Sequence, residues 1–434
     1  MNTGRPNILF LFSDQHRGSA LSCAGDPNVR TPHLDRLADN GIRFTNAYAN
    51  SPMCAPFRAS LYTGQYISSH GVNSLFKPLL PRQPVLPEVL QQHGYHTSHM
   101  GKWHLSGGDC PSHFVSPYFR PGWDEWMGWE NSNRPFRTEY STGDMPMPIR
   151  TMDGYQTDVL ADMTIEWIRS YSGDKPWFHV VSIEPPHPPY EAPAPYMDRF
   201  AEAEIEFRPN VDPEDPGIDR YRENLRGYYA QIENLDDNIG RIRAALEACG
   251  QLENTLIFYF SDHGDMMGSH GRLHKEVPEE ESSNIPLIVR YPDRIPAGTV
   301  CNGLFSGVDL MPSLLGLLGI PVPESVEGQN LSATLRGEQL DGAESVLFQF
   351  DRPFFSFKEH HDLHYRGIRH GEWKYVVHYR PEQSRLYHLE EDPYELDNRW
   401  DDPACAPTKA QLHARLADIL TEIGDDFLEQ AHRV

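Results

Sequence analysis

Three short, largely apolar runs of the chain constrain its fold more than any other feature. They cover residues 8–12, 177–183 and 255–260, and none alternates regularly between apolar and polar side chains. Such runs are typical of strands that are covered on both faces, as in a parallel sheet flanked by helices. The sequence therefore predicts an α/β fold with a sheet that contains these three strands.

Further strands and helices are predicted around these runs. Strand-like segments cover residues 42–48, 95–100 and 285–290. Thr31 is expected to cap a first helix and Gly41 to end it, with Pro32 in its first turn. Helical patterns cover residues 31–41, 86–92, 157–170, 225–246 and 308–318, and one more helix begins at residue 55 or 56. Residues 1–340 are thus expected to form a large, mostly parallel sheet flanked by helices.

Three segments carry less regular patterns. Residues 191–219 are rich in proline and acidic side chains, and we expect them to run over the surface. Residues 121–129 hold three of the eight tryptophans and suit either a pocket wall or an ordinary packed loop. Residues 354–361 are a further candidate for shaping a substrate pocket.

The pattern changes after residue 340. Short strand-like runs, separated by tight polar links, cover residues 345–350, 365–369, 373–378 and 385–389. An amphipathic helix over residues 411–423 follows them. Residues 341–434 are therefore expected to form a small antiparallel sheet with one helix, packed on the larger domain.

Charge and cysteine content narrow the class of function. The chain has 38 Lys and Arg residues against 62 Asp and Glu residues, a formal net charge of −24. Such an acidic surface argues against nucleic acid or an anionic membrane as partner, but it allows a small anionic substrate inside a basic pocket. Six cysteines without zinc-like spacing, no apolar stretch of membrane-spanning length and no recognisable signal peptide predict a reduced, cytoplasmic protein without a membrane partner.

Polar side chains follow the predicted strands at the points where ligands bind in α/β folds. Asp14 and Gln15 follow the first strand, and Asp262 and His263 follow the strand at 255–260. Carboxylate, amide and histidine ligands suit a divalent cation, with calcium, magnesium or manganese favoured over zinc. The sequence therefore predicts a cation site at this edge of the sheet.

Positively charged and proton-donating side chains stand near the same edge. If the chain is extended there, Lys102 and His104 point the same way, because they are two residues apart. A cation with several basic groups suits an ester of a tetrahedral anion, since these groups offset the charge that develops during the reaction. The candidates are Arg58, Lys102, His104, His187 and Lys275.

Cys54 stands at the predicted start of a helix, two residues before Pro56 and four before Arg58. Free N–H groups and the helix dipole favour negative charge at that position. The stretch 54–58 resembles the Cys-x-Pro-x-Arg signature of the type I sulfatases, in the alkaline-phosphatase-like superfamily. Other segments are similar to sulfatase motifs in the same order; they are 6–15, 31–38, 101–104, 186–190, 261–264, 371–375 and 386–393.

The resemblance implies a function and a role for each candidate. Cys54 would be converted to formylglycine by a maturation enzyme, and the protein would hydrolyse an aryl or carbohydrate sulfate. Arg58 and Lys102 would hold the hydrated aldehyde, and His104 would take a proton from it. His187 and Lys275 would contact the ester and assist the leaving oxygen, and Asn73 would face the transferred group. The cation would be calcium, with manganese or magnesium as alternatives; its ligands would be Asp14, Gln15, Asp262, His263 and the modified Cys54.

A covalent mechanism is consistent with this resemblance. An aldehyde hydrate has two hydroxyl groups: one attacks sulfur, and loss of a proton from the other expels sulfate and restores the aldehyde. A thiol would form an adduct without an easy exit. Cys54 is therefore expected to act as a precursor of the nucleophile and not as a thiol.

The chain also departs from the commonest family pattern. Phe57 stands where serine is usual, although the cysteine, proline and arginine that conversion is understood to need are present. Gln15 and His263 replace the Asp and Asn of animal arylsulfatases, a pattern that also occurs in relatives resembling phosphonate monoester hydrolases and choline sulfatases. A phosphonate monoester or phosphodiester hydrolase is therefore an alternative, and a non-catalytic metal-containing binding protein is another. The sequence is compatible with small or oligosaccharide sulfates as substrates and with a homo-oligomer.

Overall fold

The computed structural model describes residues 4–107, 114–145, 147–351 and 363–431. The predicted pocket segment 354–361 lies outside these ranges. The strands are β1 Asn7–Ser13, β2 Ile42–Tyr48, β3 His96–Lys102, β4 Glu125–Trp129, β5 Glu139–Thr142, β6 Arg150–Thr151, β7 Trp177–Ile183, β8 Thr255–Ser261, β9 Leu287–Arg290, β10 Thr299–Ser306, β11 Ser345–Phe350, β12 Tyr365–His370, β13 Trp373–His378 and β14 Arg385–His388.

Most α-helices of the described residues lie between strands of the first part of the chain and flank their sheet, and the last two follow the strands of the second part. They are α1 Pro32–Asp39, α2 Cys54–Thr63, α3 Ile67–His70, α4 Leu86–Gln92, α5 Gln156–Ser170, α6 Ala194–Phe200, α7 Ile218–Ala248, α8 Glu280–Ser283, α9 Leu310–Leu318, α10 Ser332–Leu335, α11 Ala406–Glu422 and α12 Phe427–Ala431. Among the described residues, none of the helices is long and apolar enough to span a bilayer.

The larger sheet has ten strands in the order β10-β2-β9-β8-β1-β7-β3-β4-β5-β6. The central strands β8, β1, β7, β3 and β4 are parallel to one another, and β9 and the β5–β6 edge run antiparallel to their neighbours. The predicted fold class, a large and mostly parallel sheet flanked by helices, is confirmed.

Strand β1 explains why its sequence is apolar throughout. Ile8, Phe10 and Phe12 belong to the apolar cluster on one face of the sheet, and Leu9 and Leu11 belong to the cluster on the other face. Successive side chains of a strand point to opposite faces, so a strand buried on both faces needs apolar residues at every position.

The smaller sheet, in the order β11-β12-β13-β14, is fully antiparallel. One side of it packs against α11 through Leu412, Leu416 and Leu420. The predicted antiparallel sheet with a helix is confirmed, although the helix begins at Ala406, five residues before the predicted position 411. Lys374 of β13 is completely buried and pairs with Glu280 and Glu395, each at 2.7 Å, so it ties this sheet to helix α8.

Two of the irregular segments are more ordered than the sequence indicated. Residues 125–129, placed in a loop, form strand β4, which pairs with β3 from Ser98↔Glu125 to Lys102↔Trp129. Residues 191–219, placed on the surface, contain α6 and the buried side chains of Phe200 and Ile205, which pack against α7. In both cases, burial against a partner distant in sequence outweighs a local composition that suggests a loop.

Helix α1 is capped by a residue that the sequence did not indicate. The side chain of Thr31 makes no capping hydrogen bond; its hydroxyl contacts Ser22 and Asp35 instead. The carboxylate of Asp236, on α7, accepts hydrogen bonds from the backbone N–H groups of His33 (3.0 Å) and Leu34 (2.7 Å). The helix also ends at Asp39 and not at Gly41, where a Cβ atom would lie 2.2 Å from the carbonyl oxygen of Val289.

We therefore expect the substitution Asp236→Ala to destabilise the protein by about 1–3 kcal/mol, because two N–H groups of the first turn of α1 lose their acceptor. Asp237→Ala is the matched control, since Asp237 is exposed and accepts a hydrogen bond only from Tyr196 among the described residues. Urea unfolding of both variants measures the difference. Equal stabilities would contradict the capping role of Asp236.

Candidate active site

The ends of two neighbouring strands bring two carboxylates together. Strands β1 and β8 are parallel and in register, with Ser13 opposite Ser261 at their last residues. Asp14 and Asp262 come next in the chain, leave the sheet side by side and are completely buried. The register of the two strands thus places two carboxylates side by side in the interior of the protein.

Cys54 faces this position from the first residue of α2. Its Sγ atom lies 3.5 Å from Oδ1 of Asp14 and 3.2 Å from Nε2 of His263. Burial, followed by the charge of Asp14, raises the pKa of the Cys54 thiol to about 12. The thiol is therefore protonated near neutral pH, which makes it a poor nucleophile.

Four side chains at this point could hold a metal ion. One ligand atom from each of Asp14, Cys54, Asp262 and His263 lies within 4.8 Å of the others, and all four residues are buried. His263 donates from Nδ1 to the carbonyl oxygen of Gly264 (2.9 Å), which leaves Nε2 facing the cluster as an acceptor. Two carboxylates and a histidine nitrogen directed at one point are a suitable donor set for a divalent cation.

The two carboxylates differ in their ionisation. Burial and the negative charge of Asp14 raise the pKa of Asp262 above its ordinary value. The pKa of Asp14 is held well below its ordinary value although burial opposes this, because Lys102 and other cations surround it. Adjacent buried carboxylates repel each other, so a bound cation would stabilise the form in which both are ionised.

Arg58 bridges the two carboxylates from the second turn of α2. Its Nη2 atom lies 3.1 Å from Oδ2 of Asp14 and 3.2 Å from Oδ2 of Asp262, and Nη1 donates to Ser182 Oγ (2.8 Å) and to the Lys102 carbonyl (3.0 Å). The guanidinium also lies over the ring of Phe12. Arg58 therefore joins strands β1, β3, β7 and β8 beneath the site.

Lys102, the last residue of β3, donates to Oδ2 of Asp14 at 2.7 Å and is completely buried. Its pKa is raised despite burial, chiefly by Asp14. Gly101, just before Lys102, has a backbone conformation that residues with side chains rarely adopt, with φ at +120°. A Cβ atom there would lie 1.9 Å from the carbonyl oxygen of Ser182. Only glycine satisfies both conditions.

His104 reaches the site by a different path from the one expected. The strand ends at Lys102, and His104 has φ 61°, so the two residues are not in extended chain. Burial, followed by the charge of Lys102, holds the pKa of His104 well below its ordinary value. His104 is thus neutral at pH 7 and able to accept a proton.

His187 is the second neutral histidine near the carboxylates. Burial and the charge of Lys275 hold its pKa well below the ordinary value. Nδ1 lies 2.7 Å from the carbonyl oxygen of Pro188 and therefore carries the proton, which leaves Nε2 as the acceptor. Lys275 approaches from the loop after β8, with Nζ 2.6 Å from Gln15 Oε1 and 3.6 Å from Cys54 Sγ.

The side chain of Asn73 makes its hydrogen bonds away from Asp14 and Cys54. Its Nδ2 donates to Oδ2 of Asp351 at 3.0 Å, and its Oδ1 accepts from Lys77 at 3.4 Å. These contacts join it to the end of β11 and do not include Asp14 or Cys54. The expected role of Asn73 at the transferred group therefore stays a prediction.

Three residues without a predicted role support the cluster. Ser182 binds Arg58; Glu184 lies 4.0 Å from Lys102 and accepts hydrogen bonds from Ser132 and Gln156; Asp265 contacts Gln15. Glu184 follows β7 as Asp14 follows β1, so its place at the ligand-binding edge of the sheet is predictable in the same way. Ser182 and Asp265 have no such signal, because their partners are distant in sequence.

The cluster as a whole is suited to an anionic ligand. Arg58, Lys102 and Lys275 supply three buried positive charges against the two carboxylates of Asp14 and Asp262. A divalent cation would add two further positive charges. Such a site can bind an anion with a charge that grows on its oxygen atoms during a reaction, and two neutral histidines can take or return protons.

Comparison with known proteins gives a consistent assignment. The Sulfatase family model matches residues 6–320, and the model for the C-terminal part of N-sulphoglucosamine sulphohydrolase matches residues 268–422. An ulvan-active sulfatase of Formosa agariphila is 34% identical over 98% of this chain and 82% of its own length. An N-acetylglucosamine-6-O-sulfatase of Bacteroides thetaiotaomicron is 27% identical over 100% of this chain and 89% of its own.

The solved structures agree with the sequence relatives. The crystal structure of the putative sulfatase yidJ from Bacteroides fragilis superposes with a TM-score of 0.90 at 28% identity, covering 98% of both chains. The predicted resemblance is thereby confirmed, and the alternative of a non-catalytic binding protein is not supported. The chain belongs to the sulfatase family, within the alkaline-phosphatase-like superfamily, and is a sulfuric ester hydrolase.

Proposed function

We propose that this protein hydrolyses a carbohydrate sulfate monoester to inorganic sulfate and an alcohol, with a formylglycine that derives from Cys54. One observation carries the proposal: Cys54, within Cys-x-Pro-x-Arg, is buried in contact with Asp14, His263 and Lys275. These neighbours suit an oxygen-bearing group at position 54 better than a protonated thiol. The relatives named for ulvan and for N-acetylglucosamine 6-sulfate support a carbohydrate as the alcohol.

The cation site would be formed by Asp14, Gln15, Asp262 and His263, together with the modified side chain of Cys54. Calcium is the ion that we propose, because carboxylate and amide oxygens predominate; manganese and magnesium are the alternatives that the histidine allows. When bound, the ion would polarise a sulfate oxygen and offset negative charge that develops on it.

The aldehyde hydrate at position 54 would supply one hydroxyl as the nucleophile and a second whose deprotonation releases sulfate. His104, which is neutral and buried, would accept that proton. Lys102 would keep Asp14 ionised and hold one hydroxyl group, and Arg58 would keep Asp14 and Asp262 in place. Lys275 and His187 would bind the sulfate ester, and the ammonium group of Lys275 would donate to the leaving alcohol oxygen, because Nε2 of His187 carries no proton.

Phe57 has a separate role from the residues on either side of it. Its side chain is completely buried and packs on Phe12, with ring centroids 6.1 Å apart, and against Gly307. The aromatic ring thus faces the apolar core while Cys54 and Arg58 face the carboxylates. The replacement of the usual serine by Phe57 therefore leaves the polar part of the proposed site unchanged.

Conversion of Cys54 is tested by peptide mass spectrometry of protein from a host that has a formylglycine-generating enzyme. We expect the peptide that contains position 54 to carry an aldehyde in place of the thiol. Cys54→Ala should lack measurable hydrolysis of an aryl sulfate, because it lacks the nucleophile, while its melting temperature stays close to that of the parent. A fully active preparation with an intact thiol would contradict the proposal.

Lys275→Ala should lower kcat for an aryl sulfate by about 10²–10³-fold, because a buried cation no longer offsets charge at the sulfate oxygens. Lys175→Ala is the matched control, since Lys175 is exposed and lies on the loop before β7. Steady-state kinetics compare the two variants. If both retain the parental kcat, Lys275 has no part in the reaction.

The choice between sulfate and phosphate esters is tested with parallel substrates on one preparation. We expect kcat/KM to be higher for N-acetylglucosamine 6-sulfate and for an aryl sulfate than for an aryl phosphodiester or a phosphonate monoester. A preference for the phosphorus esters by orders of magnitude would instead support a phosphonate monoester or phosphodiester hydrolase on the same site.

A further inference from the structure

Asp265 is a completely buried carboxylate just beyond the proposed cation site. It accepts four hydrogen bonds from three different loops. Oδ1 accepts from the backbone N–H groups of Met267 (3.1 Å) and His274 (3.0 Å). Oδ2 accepts from the hydroxyl group of Tyr190 (2.7 Å) and from Nε2 of Gln15. Asp265 therefore joins the loop after β1, the His187 loop and the loop that carries Lys275.

The side-chain amide of Gln15 lies between two groups of opposite hydrogen-bonding character. Its Nε2 donates to Asp265, and its Oε1 accepts from Nζ of Lys275 at 2.6 Å. A carboxylate can only accept and an ammonium group can only donate, so both neighbours select the same orientation of the amide. This orientation places the oxygen of Gln15 on the side of Lys275 and Cys54.

The backbone of Gln15 is also fixed. Its φ of 70° is unusual for a residue with a side chain, and two hydrogen bonds hold it: the N–H donates to Oδ1 of Asp262 (3.0 Å), and the carbonyl oxygen accepts from Tyr228 (2.9 Å). With the backbone held, rotation of the amide by half a turn remains the one change that exchanges its oxygen and nitrogen.

We propose that Asp265 is a positioning residue that keeps the amide oxygen of Gln15, and not its nitrogen, directed at the cation. The inference rests on the proposed cation site, in which Gln15 is a ligand. A carboxylate ligand at position 15 would present oxygen to the cation in either orientation. An amide ligand presents nitrogen in one of its two orientations, so glutamine at this position requires a hydrogen-bond acceptor for its NH₂ group. Asp265 is that acceptor.

The substitution Asp265→Asn replaces the acceptor that faces Gln15 with a donor. The new amide oxygen can still accept from Met267 and His274, but an NH₂ group then faces Nε2 of Gln15. Two donors cannot pair, so Gln15 is left either with its NH₂ group unpaired against the new NH₂ group or, turned over, with its NH₂ group against Lys275 and the cation. We expect the dissociation constant for Ca²⁺ to rise by about 10–100-fold, the usual effect of losing a residue that orients a metal ligand. Isothermal titration of Ca²⁺ into chelator-stripped, Cys54-containing protein measures it.

A second substitution separates orientation from general damage. In the Asp265→Asn background, Gln15→Glu supplies a carboxylate that accepts from the new NH₂ group with one oxygen and faces the cation with the other. We expect this double variant to recover the parental Ca²⁺ affinity to within about fivefold. Gln15→Glu alone should bind less tightly than the double variant, because it places two carboxylates in contact. Asp265→Asn is thus expected to weaken Ca²⁺ binding when residue 15 is glutamine and to strengthen it when residue 15 is glutamate.

Tyr190→Phe is the matched control, since it removes one donor to Oδ2 of Asp265 without changing which atom of Gln15 faces the cation. Its Ca²⁺ affinity should stay near the parental value. Parental affinity in Asp265→Asn, or a loss that Gln15→Glu does not restore, would overturn the inference while leaving the proposed cation site intact. Failure of the parental protein itself to bind Ca²⁺ or Mn²⁺ would overturn the cation site and, with it, the positioning role.

Discussion

The close approach of Asp14 and Asp262 is the constraint on which the rest of the site depends. In-register pairing of β1 and β8 places two buried carboxylates side by side, where their mutual repulsion is weakly screened. Arg58, Lys102 and Lys275 are arranged around them, and the helix that carries Arg58 begins with Cys54. The position of the cysteine is therefore tied to the charge balance of the strand ends.

The geometry around these strand ends uses unusual backbone conformations. Eight non-glycine residues in the described part of the chain have positive φ, and six of them lie in the loops after β1, β3 and β8: Gln15, His104, Met267, His270, His274 and Glu276. Such conformations cost free energy and persist where the surrounding contacts determine them. For Gln15 these contacts are visible in the hydrogen bonds from Tyr228 and to Asp262. Hydrogen bonds to these loops thus hold backbone conformations that residues with side chains rarely adopt.

Much of the fold and the chemical identity of the site could be predicted because both leave local signals. A strand buried on both faces must be apolar throughout, and the residue after a parallel strand lies at the ligand-binding edge, so Asp14 and Asp262 were found together. The cap of α1 by Asp236, the bend at His104 and the contact of Asp265 with Gln15 were not found. Each depends on a partner distant in sequence or on a backbone turn without a characteristic residue. The boundary between residues 340 and 341 stays a prediction, since Leu304 pairs with Ala343 across it.

The most direct test of this account is the anomalous scattering of a crystal grown with Mn²⁺. The account predicts one strong anomalous peak at the ends of β1 and β8, within coordination distance of Asp14, Gln15, Asp262 and His263, with the oxygen of Gln15 toward it. A peak at another place, or no peak with the four side chains in their described positions, would show that the paired carboxylates do not bind a cation.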